Sequence, residues 1–247
     1  MLRSGAFLFE RMFAMIIRTA ILVDGGFYRK RALKLFGKKT PQQRADELIE
    51  YCERHYKDKK GSKNEHYLYR IFYYDCKPYD TVIFNPLTQK NIDMKTTEMY
   101  TWSNDFFKCL TKKRKVALRM GELLESGSGY NLKSKSLNRL LRGEIAVNDL
   151  TQDDFTLDIM QKGVDMRIGL DIASLAHKQL VDQIILIAGD SDFVPAAKHA
   201  RREGIDFILD PLWNSIKPSL NEHIDGLATR CKEDASEDSL HISHISK

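Results

Sequence analysis

Two unbroken apolar runs, Ala20-Ile21-Leu22-Val23 and Ile184-Ile185-Leu186-Ile187-Ala188, each end where an aspartate meets glycine, at Asp24-Gly25-Gly26 and at Gly189-Asp190. A continuous run, rather than an alternating one, is what a strand covered on both faces requires, and such strands belong to parallel sheets with helices on each side. The pattern predicts buried strands over 19–24 and 184–188. Further strands are predicted over 67–76, 116–124 and 207–209, and helices over 27–36, 44–55, 96–110, 161–179, 193–202 and 220–228. Strands alternating with helices argue for a three-layer α/β/α sandwich around a mostly parallel, Rossmann-like central sheet.

The apolar patterning supports one domain over 18–228. Residues 1–17 read as an N-terminal extension, with Met15 opening the segment that flows into the first strand, and 229–247 read as a polar, disordered tail. His241 and His244 in that tail are an incidental pair rather than metal ligands. Between 125 and 154 the pattern weakens. Ser126-Gly127-Ser128-Gly129 reads as a flexible loop, and Lys133, Lys135, Arg139 and Arg142 make the following stretch basic, so this region is expected to be an insertion. A lysine-rich loop is expected over 57–63.

Composition narrows the class without choosing within it. A formal net charge of +5 and a pI near 8.9 lean toward a polyanionic partner. Cys52, Cys76, Cys109 and Cys231 lack the paired spacing of a zinc ribbon or a disulfide framework, which fits a reducing cytoplasm. No stretch reaches the roughly 18 apolar residues that a membrane span needs.

In doubly wound sheets, ligands bind beyond the carboxyl ends of the strands, where strand order reverses. Asp24 and Asp190 are expected at the carboxyl ends of two buried strands. Asp192 follows at a helix start, and Asp165 lies in the first turn of the helix before the second strand. Each position alone suits a helix cap or turn residue. Together they gather carboxylates that raise one another's pKa, and a cation relieves that repulsion. Mg²⁺ and Mn²⁺ accept carboxylate and water oxygens and need neither Cys nor His. There is no phosphate-binding G-x-x-x-x-G-K-[ST] loop, no G-x-G-x-x-G after the first strand and no G-x-S-x-G elbow. Asp171, six residues past Asp165, reads as solvated surface.

The segments AILVDGGFY (20–28), QKGVDMRIGLDIASLA (161–176), ILIAGDSDFVPAAKHARREG (185–204) and FILDPL (207–212) resemble the NYN domain family, in particular its LabA-like branch within the PIN-like nuclease superfamily. The resemblance implies a PIN-like parallel-sheet fold, an Mg²⁺- or Mn²⁺-binding acidic centre and ribonuclease activity. By position it implies that Asp24, Asp165, Asp190 and Asp192 are the catalytic and metal-binding acids, with a metal-activated water attacking the phosphodiester. Many relatives carry an Asn shortly after the first acid, where this chain reads Gly-Gly-Phe-Tyr. Asp75, closing the second strand, resembles a site-edge position.

Arg29, Lys30, Arg31 and Lys34 on the helix after Asp24, and Lys162 ahead of Asp165, are placed to meet RNA phosphates. Tyr28 is a candidate to stack on a base of single-stranded RNA; Phe27 reads as core. Ser191 is a candidate contact to substrate or a helix cap. The rival expectation is a catalytically inactive module of the same fold that binds RNA or a protein partner. A homodimer is compatible with the exposed helix faces.

Overall fold

The structure, a computed structural model, describes residues 15–57 and 64–233, apart from the side chains of 124–128 and 158–162. The extension over 1–14, most of the lysine-rich loop at 57–63, the tail beyond 233 and the Lys162 side chain lie outside the described residues.

The strands are β1 (Ile16–Asp24), β2 (Glu65–Cys76), β3 (Val82–Asn85), β4 (Lys90–Asp93), β5 (Val116–Leu132), β6 (Phe155–Lys162), β7 (Gln183–Ile187), β8 (Asp206–Asp210) and β9 (Gly226–Leu227). The helices are α1 (Gly25–Phe36), α2 (Pro41–Lys57), α3 (Glu98–Thr111), α4 (Ser134–Leu141), α5 (Val164–His177), α6 (Val194–Arg202) and α7 (Pro218–Asn221). Seven strands form one sheet in the order β6-β5-β2-β1-β7-β8-β9. All its pairings are parallel except β5 with β6. The chain winds outward from β1 through β2 and β5, then returns to β1's other flank with β7, so strand order reverses between β1 and β7.

Strand alternation divides the core. Ala20 and Leu22 face the layer of α5 and α6, with Ile168, Ile172, Ala197 and Ala200 packed against them. Ile21 and Val23 face α1, α2 and α3, in a cluster with Ala32, Leu48 and Phe106. Both faces of β1 are therefore dry, as its unbroken apolar run requires. Each fully buried Ile, Leu or Val contributes about 1.5–3 kcal/mol relative to exposure. The three-layer α/β/α sandwich with a mostly parallel sheet is what the sequence pattern predicts.

Three local expectations change. Residues 125–132 continue β5 rather than forming a free loop, pairing with β6 across a register irregularity between Glu125 and Tyr130. Gln161 and Lys162 end β6 instead of opening a helix, and α5 starts at Val164 after left-handed Gly163. The predicted 220–228 helix stops at Asn221, and Gly226–Leu227 adds a strand beside β8. Here Asp225 accepts the Phe207 backbone N–H and the Arg201 guanidinium, and those long-range bonds outweigh local helical spacing. The hairpin β3-β4 has no counterpart in the sequence reading. It packs on β5 through Ile83 at Gly129 and is tied to Gln152 by Asn85.

Candidate active site

Asp24 ends β1 at the reversal point, where Val23 pairs with Ile187 of β7. Its carboxylate caps α1 by accepting the Phe27 N–H at 3.1 Å. Gly25 is already the first residue of α1 rather than a turn before it, and its missing side chain matters. A Cβ there would stand 2.6 Å from both the Tyr73 hydroxyl and the Asp75 carboxylate of the neighbouring strand. Glycine thus lets β2's buried polar groups close in directly beneath Asp24.

Asp190 follows β7 and accepts the backbone N–H of Asp192 at 3.1 Å, holding the Gly189–Asp192 loop in a short 3-10 turn. Gly189 is pressed on two sides: a Cβ would meet Phe27 at 2.5 Å and the Asn214 amide at 3.0 Å. Asp165 stands in the first turn of α5, whose amino end points to the same edge of the sheet.

The carboxylates interact through charge. Burial pushes the Asp24 pKa up from 3.8 to about 6, with its backbone hydrogen bond to Phe27 opposing and the charges of Asp165 and Asp75 adding to the rise. Asp165 is reached by solvent, yet its pKa is also raised, first by partial desolvation and then by the charges of Asp190 and Asp192. Asp24, from β1, thus feels the charge of Asp165 from α5, and Asp165 feels the charges of the loop after β7.

Carboxylates alone suit a hard cation. No group of three or more His, Cys, Asp or Glu among the described residues is close enough to hold one ion directly. The donor set and its mutual repulsion fit Mg²⁺ or Mn²⁺ held through one or two carboxylates, with waters completing the shell, as Mg²⁺ prefers.

Asp75 is fully buried beside this centre. It pairs with Arg29 at 3.0 Å and accepts the Tyr73 hydroxyl at 3.2 Å and the Cys76 backbone N–H at 2.8 Å. Arg29 is thereby committed to the protein interior, with a second contact to Ser103, instead of facing phosphate. Tyr28 is also corrected: it is 0% exposed and donates to Glu47, so no base can stack on it. Both face inward because α1 packs this side of the helix on the sheet, as the burial of Gly25 and Ala32 shows. Arg31 donates twice to the Leu212 carbonyl, at 3.0 and 2.7 Å. Lys30 is exposed on α1. Ser191 lies on the acidic loop and accepts a hydrogen bond from Lys217 at 3.0 Å. Asp171 is not solvated surface: its carboxylate is half-buried, accepting from Tyr74 at 2.8 Å and Arg119 at 3.0 Å.

Sequence reasoning missed Lys217, Asn214 and Asp210. Asp210 ends β8 fully buried, accepting from Tyr51, from Thr229 at 2.9 Å and from the Leu212 backbone N–H at 2.8 Å, with His55 Nε2 at 2.8 Å. Its place at the end of a predicted strand was the available signal; the partners come from α2 and from the chain after α7.

The fold is that of an α/β protein in which Asp24 and Asp190 follow β1 and β7, the two strands at the switch point of a mostly parallel sheet. Residues 104–221 match the model of the NYN domain family. The assignment is consistent with the PIN-like nuclease superfamily. The match includes Asp165, Asp190 and Asp192 and begins after Asp24. A crystal structure of a protein of unknown function from Vibrio parahaemolyticus aligns with 85% of this chain and 91% of its own, at 15% identity and a TM-score of 0.41. No curated protein matches the chain. No helix among the described residues is long and apolar enough to cross a membrane.

Proposed function

We propose that this chain is a divalent-metal-dependent ribonuclease that hydrolyses RNA phosphodiester bonds at Asp24, Asp165, Asp190 and Asp192. The observation that carries the reading is electrostatic. Burial first, and then the charges of neighbouring carboxylates, raise the pKa of Asp24 at the end of β1 and of Asp165 in α5, the latter beside the loop after β7. A fold that concentrates like charge at its ligand-binding edge is poised for a cation. Within the NYN family, the Asp24-Gly25-Gly26 start of α1 favours the LabA-like branch.

Bound Mg²⁺ or Mn²⁺ would supply water activation and charge neutralisation at the phosphate. The residues of the chain supply rigidity and charge. Asp24 is fixed by its cap bond to Phe27, and Asp190 by its bond to the Asp192 N–H, so both carboxylates are oriented before a ligand arrives. With a pKa near 6, Asp24 is mostly ionised above neutral pH and is able to take up a proton just below it. Single-stranded RNA is the substrate we favour, met by exposed Lys30, by Ser191 and by Lys162, in the cytoplasm.

The test is cleavage of defined single-stranded RNA and DNA oligonucleotides with Mg²⁺, Mn²⁺ or EDTA, with product ends identified. Cleavage of RNA that needs the metal and disappears in Asp190→Asn, at unchanged unfolding midpoint, is the expected result. Equal cleavage in EDTA sinks the metal-dependent reading.

The absence of a three-ligand cluster among the described residues favours a second reading, an inactive RNA-binding or protein-interaction module. It predicts RNA binding unaffected by Asp190→Asn and no cleavage of any oligonucleotide.

A further inference from the structure

The chain between β8 and α7 makes a turn that costs backbone energy. Leu212 and Trp213 are consecutive non-glycine residues with φ of 48° and 62°. Left-handed conformations cost such residues about 1–2 kcal/mol each and persist where the surroundings fix them. Here the fixing groups are specific. Buried Asp210 accepts the Leu212 N–H, Arg31 holds the Leu212 carbonyl with two bonds, and the Trp213 indole donates to the Cys231 carbonyl at 3.0 Å. The turn leads the chain back over the acidic loop. Asn214 closes against Gly189, and Lys217 reaches Ser191, the residue between Asp190 and Asp192.

Lys217 is exposed, and among the described residues its ammonium makes no ion pair; its partner is the neutral Ser191 hydroxyl. Arg29 is neutralised by Asp75, and two N–H groups of Arg31 are turned to the Leu212 carbonyl of the strained turn. A polyanion approaching four carboxylates needs a positive group beside them. An ammonium is a compact point charge suited to phosphate.

We propose that Lys217 is a phosphate-binding cation of this site, contacting the backbone of single-stranded nucleic acid next to the Asp190–Asp192 loop. The proposal rests on the reading of the acidic edge as a nucleic-acid site, but does not require that the bound strand be cut.

The experiment measures binding of a fluorescein-labelled single-stranded RNA to the full chain by anisotropy, in EDTA, across a salt series. Cleavage with Mn²⁺ is followed in parallel. One lost phosphate contact on a single strand makes the slope of log K against log salt shallower by about 0.7 and weakens binding about fivefold near 0.1 M salt. Lys217→Gln should show both changes at an unchanged unfolding midpoint. Lys217→Arg should restore the slope, because it is the charge that meets the phosphate. A Lys217→Gln slope equal to wild type overturns the proposal, as does wild-type protein that binds no RNA at any salt. If the wild type cleaves RNA while Lys217→Gln keeps the full slope, the nuclease reading stands and this one falls. If the wild type cleaves nothing but the slope drops in Lys217→Gln, the reverse holds.

Discussion

Arg29 and Asp75 form an ion pair at 3.0 Å across α1 and β2, with the carboxylate wholly buried and the guanidinium partly so. The pair lies one strand from Asp24, whose own pKa responds to the Asp75 charge. Removing one member of a buried pair strands the other, which typically costs 3–5 kcal/mol. Arg29→Met should lower stability by about 3 kcal/mol in urea unfolding. A loss of under about 0.5 kcal/mol would show that Tyr73 and the Cys76 N–H satisfy Asp75 without help.

Asp24 gives the fold a pH dependence of definite sign. Its folded pKa of about 6 exceeds the usual 3.8, so the folded state holds the proton more tightly than the unfolded chain. The ionised group therefore opposes folding above pH 6, by at most about 3 kcal/mol, and the penalty fades as pH falls from 6 toward 4. Asn caps helices as well as Asp does. In EDTA, Asp24→Asn should be more stable than wild type at pH 7.5, and the difference should shrink by pH 4.5. Urea midpoints at the two pH values check this; a pH-independent difference contradicts it.

Gly189→Ala tests the packing behind the acidic loop. Its Cβ would overlap the Phe27 ring and crowd the Asn214 amide. Overpacking of this kind costs about 1–3 kcal/mol. Because the strain falls on the loop carrying Asp190, cleavage should fall more steeply than stability, read as kcat/KM against the urea midpoint.

Asp210 braces the strained turn from below. Asp210→Asn puts an amide donor among groups that already donate, from Tyr51, Thr229 and the Leu212 backbone. A loss of about 2 kcal/mol is expected. If Asp210 holds the 212–217 segment in place, the variant should also lose part of its salt-dependent RNA binding, although Asp210 touches no ligand.

The parts of this site legible in the sequence are those encoded locally. Asp24 and Asp190 are placed by continuous apolar runs that leave a strand only one way to be covered, and Asp165 by the apolar stripe of the helix behind it. Contacts between distant residues left no such trace. Arg29 looks like an open cation on a basic helix until Asp75, 46 residues on, claims it. Tyr28 looks like a stacking platform until Glu47 takes its hydroxyl. Lys217 sits in an unpatterned stretch, and only the fold brings it to Ser191. β6 was lost because its last residues adjoin an amphipathic helix, and the longer period dominated the reading.

The antiparallel edge has a consequence for how much this protein can vary. β5 continues past the level at which Cys76 of β2 pairs with Gly121, and β6 comes back along it until Lys162 meets Glu122. Asp165 is reached three residues later, so its height is indexed by that last rung and not by the length of chain beyond it. Changes of length within residues 137–151 are therefore expected to leave the height of Asp165 unchanged, provided the Glu122–Lys162 rung and the Asn85–Gln152 bond survive. A slip of one residue there would carry an acid of the centre out of place while leaving every helix intact.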